Sequence, residues 1–381
     1  MISAYHFSLT GRDHTARNMP CHDYSLIREV SASWKIAIVA DGVGSCAHAD
    51  IAAKTAAEAA ADLIEKQFPP SSAEDADYIS VIIAAMHGAA NAIEAYVSKN
   101  DDGNEEAYQT TLALAILSKR KLYYGNAGDS GIIGLDAKGS YHVLSHKQND
   151  DIGQVYAIPS SRCFEVGTAD FVPAAAICLT DGVLDFVAPA VLKDFSYQVD
   201  VPFANLFCAY ALGIDPAEEP EAREKSTDQL KMYLSSDHCS DMRDDLSAAV
   251  LTLTDSELLP EDIAWERPEI DTDLLKWREV SVYPEENTRI TAFMEYLKKK
   301  YPSMTSEQLD AILQKYLKPS ANTESDPVPD TNSSPETTDA QAQKLPAESR
   351  RQAAPAQNPP DAENMAGKKS WFGLGTRRKE K

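Results

Sequence analysis

Over residues 1–254 short apolar runs alternate with longer segments of helical period. The runs WKIAIVA (34–40), TLALAIL (111–117), KLYYGNAG (121–128), SGIIGL (130–135), SYHVLS (140–145), AAAICLT (174–180) and LSAAVLTL (246–253) read as β-strands. Between them, residues 49–68 and 76–98 are rich in alanine, and the second segment places Ile79, Ile82, Ile83 and Met86 on one helical face. Residues 201–213 and 222–235 are helical with a less regular pattern. The runs between 112 and 145 are joined by short turns such as SKRK and DAKG. Those turns leave no room for crossover helices, so these strands are expected to pair antiparallel. The expected body is α+β, antiparallel sheet covered by helices.

Beyond residue 254 the pattern changes. Residues 287–301 place Ile290, Phe293, Met294 and Leu297 at i, i+3, i+4 and i+7. A capping box at 305–308 then opens a second amphipathic segment with Leu309, Ile312, Leu313 and Tyr316 on one face. These faces must dock on the main body, on each other or on a partner, and intramolecular docking is the expectation. From 319 to about 367 the chain is rich in Pro, Ser, Thr, Gln and Ala and lacks the apolar content for a core, so it reads as a linker. Its tip, GKKSWFGLGTRRKEK, sets Trp371, Phe372 and Leu374 among Lys368, Lys369, Arg377, Arg378, Lys379 and Lys381. Such a tip can contact a protein or an anionic membrane surface, though it has too few apolar residues to anchor alone, and a solvated terminus is expected. The organisation read from the sequence is thus 1–254, 255–318 and 319–381.

Charge sharpens this picture. The formal net charge is -23, yet residues 319–381 carry nine acidic and nine basic side chains, so the whole excess lies on 1–318. An acidic body disfavours nucleic acid and anionic lipid as partners and suits a cation. The six cysteines show no CxxC spacing and several lie in apolar runs, as expected of buried thiols in a reducing compartment. MISAYHFSLT has no charged and apolar leader pattern, and no apolar run approaches the ~20 residues of a membrane span, so a soluble cytoplasmic protein is expected.

The candidate chemistry lies at the strand ends. VADGVG (39–44), GNAGDSG (125–131), CLTDGVLD (178–185) and MRDDLSAAV (242–250) each attach aspartates to the end of an apolar run. One Asp-Gly pair needs no explanation beyond turn formation. Four such ends, if brought together by the sheets, make a repelling carboxylate cluster that a cation stabilises, and oxygen-only donors suit Mg²⁺ or Mn²⁺ rather than zinc. Other motifs are set aside. GLDAKGS (134–140) lacks the lysine of a P-loop and reads as a hairpin turn; an aspartyl nucleophile would need a second aspartate at 43, which is Val43; there is no Gly-x-Ser-x-Gly elbow. His14, His48 and His146 read as polar loop or helix residues rather than as ligands or acids.

In this order, Asp41-Gly42-Val43-Gly44, Thr110-Thr111, Gly128-Asp129-Ser130, Thr180-Asp181-Gly182 and Asp244-Asp245-Leu246-Ser247 resemble the metal-dependent protein phosphatases of the type 2C family, and GRDHTARNMPCHDYSLI resembles the start of its bacterial branch. The resemblance covers about residues 1–254. It implies an α-β-β-α sandwich of two antiparallel sheets flanked by helices, a two-metal centre at one edge, and hydrolysis of phosphoserine and phosphothreonine in proteins. By the same resemblance Asp41 bridges both metals, the Gly42 carbonyl binds one, and Asp181 and Asp244 complete the other. Asp23 would hold metal-bound water, while Asp129 with Asp181 would form the third, weaker site of some members. The mechanism so implied is in-line attack by the bridging water, with no phosphoenzyme and with the metals stabilising the developing charge. A Ser/Thr kinase partner is a further expectation from the family.

The chain departs from the pattern at several positions. His22 stands in place of a usual Glu, Val43 in place of a histidine proposed as general acid in some members, Ser45 in place of a second glycine, and Asp245 in place of Asn. The counterpart of the phosphate-binding arginine is Arg17, offset by one position, or Arg12, which lies further away. The alternative function is a non-catalytic module that keeps the fold and binds a (phospho)protein partner; retention of Asp41, Asp181 and Asp244 favours the enzyme.

Overall fold

The computed structural model describes residues 1–101, 103–145, 147–148, 154–188, 199–212, 227–228, 230–254, 291, 294–295, 297–298 and 302–317. Strands form where apolar side chains serve two faces at once. In β3 (Trp34–Ala40) residues Ile36, Ile38 and Ala40 point to one buried layer, and Ala37 and Val39 to the other. With β2 (Tyr24–Ser31), β4 (Leu112–Leu117), β5 (Leu122–Ala127) and β8 (Glu165–Thr168), this strand forms an antiparallel sheet in the order β2-β3-β4-β5-β8. The other sheet, also antiparallel, contains β1 (Ile2–Leu9), β6 (Gly131–Asp136), β7 (Tyr141–Val143), β9 (Pro173–Leu179) and β10 (Leu246–Leu253) in the order β1-β10-β9-β6-β7.

The sheets meet face to face through Ala37, Val39, Ala113, Ala115, Ala176, Cys178 and Ala249, whose small side chains permit close approach. Outside the β2-β8 sheet lie α2 (Ala49–Gln67) and α3 (Asp75–Asn100). The stripe Ala49, Ala52, Ala53, Ala56, Ala57, Ala60, Ala61 and Ile64 of α2 is fully buried, which is why an alanine-rich helix is stable here: its face is spaced for close packing. By length and composition α3 alone among the described helices is apolar enough to cross a membrane, yet Tyr78, Ile82, Met86, Ile93 and Val97 are buried in the layer it forms with α2 and the sheet. The other sheet is covered by α4 (Asp181–Val187) and α5 (Val201–Leu212), with Val183, Phe186, Phe203 and Phe207 packed on Tyr5, Phe7, Ile133 and Ile177. The architecture is the expected α+β sandwich of two antiparallel sheets between helices.

Three strands lie outside the runs read from the sequence: β1, β2 and β8. The first pairs along its whole length with β10, from Ile2 opposite Leu253 to Leu9 opposite Leu246. Its Ser3, His6 and Ser8 break the apolar run, and a strand of mixed polarity is hard to see by hydropathy alone. β2 and β8 are half-exposed edges. A correction concerns residues 112–145: β4 pairs with β5 and β6 with β7, but β5 and β6 do not pair. The chain passes from one sheet to the other through 128–130, using Gly128 at φ 88°, a conformation that side-chain-bearing residues avoid. DAKG is a hairpin turn as expected, with Gly139 at φ 92° and the Asp136 carboxylate accepting from the Lys138 and Ser140 N–H groups.

The chain divides into two units, Met1–Glu324 and Ser325–Lys381, and all described residues lie in the first. α6 (Ser306–Leu317) begins with the expected capping box: Thr305 N–H donates to Gln308 Oε1 at 2.9 Å, and Gln308 N–H to Thr305 Oγ1 at 3.3 Å. Leu309 and Leu297 are buried. Residues 227–228 and 230–234 are helical, as are 291, 294–295 and 297–298. Ile290, Phe293, the side chains of Ile312, Leu313 and Tyr316, the linker and the basic aromatic tip lie outside the described residues.

Candidate metal centre

Strand register brings the acidic ends together. Ala40 pairs with Tyr24, Leu112 with Ala127, and Leu179 with both Gly131 and Ala248, so the residues just outside these pairs share one edge of the sandwich. Asp41 follows β3, Asp23 precedes β2, Asp129 sits in the crossing between β5 and β6, Asp181 opens α4 after β9, and Asp244 and Asp245 precede β10. Carboxylate oxygens of Asp41, Asp129 and Asp181 lie within 4.8 Å of one another. Among the described residues, these three half-buried acids form the group of His, Cys, Asp or Glu side chains placed to share one metal ion.

Hydroxyl groups fix them in place. Asp41 N–H donates to Thr111 Oγ1 at 3.0 Å, and the Asp41 carbonyl accepts from Thr111 N–H and from Thr110 Oγ1, both at 2.8 Å. Thr111 Oγ1 also bonds Ser130 Oγ at 2.6 Å, linking Asp41 to the turn of Asp129. On the other side Thr180 Oγ1 donates to Asp23 Oδ2 at 2.8 Å and accepts from Ser247 N–H at 3.0 Å. Ser247, Ser8 and Ser25 continue this chain of hydroxyls across both sheets. The threonines and serines of the motif thus hold the Asp41 backbone, brace the turn of Asp129 and bond the Asp23 carboxylate.

The electrostatics are unfavourable to a cation-free state. Burial, then the charges of Asp23, Asp181, Asp129 and Asp244, hold the Asp41 carboxyl well above the usual carboxylate range. Burial raises Asp23 strongly as well, against its bond from Thr180. Asp129 is raised by burial despite the nearby Lys147 charge. Asp181 is pushed up to about 6, first by burial and then by Asp129. A close cluster of oxygen donors that repel one another and are partly desolvated is the environment a hard divalent cation relieves, and the donor set fits Mg²⁺ or Mn²⁺.

The remaining candidates take varied places. Gly42 pairs with Thr110 and donates its N–H to His22 O at 3.2 Å; a Cβ there would lie 2.5 Å from the Ala49 carbonyl oxygen, so only glycine fits against the start of α2. Asp244 is exposed at the rim, its Oδ1 accepting from Asp245 N–H at 2.9 Å, and its charge still acts on Asp41, Asp129 and Asp181. Arg12 donates to the carbonyls of Ser235 and Ser236 at 2.9 and 2.7 Å. Arg17, whose Nε donates to Asp13 O, is exposed. His48 stacks on Tyr108, and His146 lies outside the described residues.

Two features escaped the sequence reading. Asp245 is a buried anchor: its carboxylate accepts from Gly11 N–H and His22 N–H, both at 2.6 Å, and meets His14 Nδ1 at 2.8 Å. It ties the start of the chain, including α1 (Arg12–Arg17), to the loop carrying Asp244. The His14 and His22 rings lie 4.3 Å apart, and burial followed by the His14 charge lowers the pKa of His22. The other feature is Lys147, whose Nζ pairs with Asp185 Oδ1 next to the acidic cluster. A lysine just after β7, facing the acid-rich CLTDGVLD segment, was the available signal.

Two antiparallel sheets between helix layers, with acids gathered at their common edge, are the architecture of the metal-dependent protein phosphatases. The family model for protein phosphatase 2C matches residues 10–234, and the chain belongs to that family. Among solved structures, a bacterial serine phosphatase has 14% identity and a TM-score of 0.44, covering 66% of this chain and 98% of that one. Stp1, the serine/threonine phosphatase from Staphylococcus aureus, has 13% identity and a TM-score of 0.44 over 66% of this chain and 95% of its own. RsbX, solved in complex with magnesium, has 18% identity and a TM-score of 0.38, with 66% and 95% covered. Comparison with curated proteins gives no match.

Proposed function

We propose that the chain is a protein serine/threonine phosphatase that hydrolyses phosphoserine and phosphothreonine, with Mn²⁺ or Mg²⁺ held by Asp41, Asp181 and Asp244 and by the Gly42 carbonyl. The observation that carries this reading is the approach of the Asp41, Asp129 and Asp181 carboxylates to within 4.8 Å of one another on hydroxyl-braced supports. Two ions bound there would supply Lewis acidity and a water acidic enough to attack phosphorus at neutral pH.

The chain's own residues do the positioning. Thr110 and Thr111 clamp the backbone of Asp41, and Asp23, held by Thr180, sets a further layer of negative charge behind it. Val43 brings no proton donor beside Gly42, so leaving-group protonation falls to solvent. Arg12 is engaged by two carbonyls, which leaves Arg17 the better candidate for contact with substrate phosphate. A phosphorylated protein substrate and a partnering Ser/Thr kinase follow from the family. All six cysteines are free, which suits a reducing cytoplasm.

The test is hydrolysis of p-nitrophenyl phosphate with and without Mn²⁺, in the wild type and in Asp41→Asn. Manganese-dependent turnover that falls to background in the variant is expected. Turnover that persists unchanged in Asp41→Asn rejects the site, and a wild type inert with both Mn²⁺ and Mg²⁺ supports a non-catalytic (phospho)protein-binding module instead.

A further inference from the structure

By the family resemblance Asp129 and Asp181 would form a third, weaker metal site, and this chain places a cation of its own near that pair. Lys147 Nζ is ion-paired with Asp185 Oδ1. Asp185 lies one helical turn beyond Asp181 in α4, so the two carboxylates project from the same face. The next residue, Gln148, donates its backbone N–H to the Gly128 carbonyl at 2.9 Å, which holds the Lys147 segment against the turn that carries Asp129. Lys147 is therefore fixed from two sides, by α4 through Asp185 and by the β5–β6 crossing through its neighbour. Its charge opposes the effect of burial at both Asp129 and Asp181.

We infer that the Lys147 ammonium, fixed at Asp185 beside Asp129 and Asp181, supplies the positive charge that a third divalent ion would bring to that pair, so that the centre holds two exchangeable ions and one built-in positive charge. This rests on the two-metal reading above and refines it. A tethered ammonium needs no free metal to be present, and like charge excludes a divalent ion from the same acids. A regulatory response to high metal concentration through that position is then absent from the wild type.

The experiment counts Mn²⁺ bound to the full chain, by calorimetric titration and by the electron paramagnetic resonance signal of free Mn²⁺, in the wild type, Lys147→Met, Lys147→Gln and Lys147→Arg. Two ions are expected in the wild type and in Lys147→Arg. A third is expected in Lys147→Met and Lys147→Gln, bound at least ~10-fold more tightly than any third ion in the wild type. The lysine is about one-third exposed, at 34%, so both neutral variants are expected to keep the wild-type melting temperature in EDTA to within a few degrees. Three ions in the wild type, or two in both neutral variants, overturn the inference and leave the two-metal site standing. No Mn²⁺ bound to the wild type overturns the site itself.

Discussion

Replacing Asp181 by Asn should stabilise the metal-free protein while impairing its metal-loaded form. The Asp181 carboxyl is raised from its ordinary 3.8 to about 6, and a group raised on folding stabilises the fold fully below the lower value and loses that contribution as pH rises through the upper one. At ~1.4 kcal/mol for each tenfold in acidity, the charged form at pH 7.5 costs the metal-free fold roughly 3 kcal/mol. Proton sharing with the neighbouring acids and partial exposure of the site reduce this to about 1–2 kcal/mol. Asparagine also forgoes the favourable place of a carboxylate in the first turn of α4, worth about 0.5 kcal/mol. With ~2–4 °C per kcal/mol for a body of this size, Asp181→Asn in EDTA at pH 7.5 should melt about 1–6 °C above the wild type. The gap should narrow to about half at pH 5. Saturating Mn²⁺ should reverse the order, because about 2.7 kcal/mol at a hundredfold excess over Kd accrues to the wild type alone. Scanning calorimetry in EDTA and in Mn²⁺ across this pH range measures all three. A variant that melts below the wild type in EDTA at pH 7.5 would refute the argument that the cluster is repulsive without a cation.

Two further substitutions probe the supports of the site. Asp245→Ala leaves the N–H groups of Gly11 and His22 without their acceptors in a buried setting and should lower stability by about 2–4 kcal/mol in urea denaturation, whereas Asp245→Asn, which keeps one of the two acceptor oxygens, should cost about half as much; equal losses would deny the carboxylate its anchoring role. Gly182→Ala puts a Cβ 2.1 Å from the Asp245 carbonyl oxygen, so the 244–245 backbone must move; a loss of about 1–3 kcal/mol and weaker Mn²⁺ binding in titration are expected, and wild-type affinity would show that Asp244 is no ligand.

The acids were legible because a carboxylate at the end of an apolar run is conspicuous, and α2 and α3 because alanine at helical spacing repeats over about five turns or more. Other features depend on contacts far apart in sequence. Asp245 meets Gly11 across 234 residues and His14 across 231, and nothing local distinguishes it from Asp244. Arg12, the more distant phosphate candidate in sequence, is engaged by the carbonyls of Ser235 and Ser236, more than two hundred residues along the chain. The passage of the chain between sheets at 128–130 was hidden because alternation marks a strand without naming its sheet. The polar residues of β1 masked a strand whose side chains serve the sheet interface and the hydroxyl chain at once.

The supports of the acids differ in kind, and that difference bears on how the centre assembles. Asp41, Asp129 and Asp181 are held by strand ends, a helix start and buried hydroxyls, so their repulsion is built into the folded body whether or not a cation is bound. Asp244 is exposed and rests on a loop whose position depends on Asp245 and, through it, on Gly11, His14 and His22. Of the four, it is the acid best able to adjust to an ion. Metal binding is then expected to draw the 244–245 loop inward and to tighten the start of the chain with it. Hydrogen exchange at the Gly11 and His22 amides, whose acceptor Asp245 rides on that loop, should slow with Mn²⁺, while that of Asp41, bonded to Thr111 at the end of a sheet strand, changes little. Equal protection of all three amides in EDTA and in Mn²⁺ would count against an adjustable Asp244.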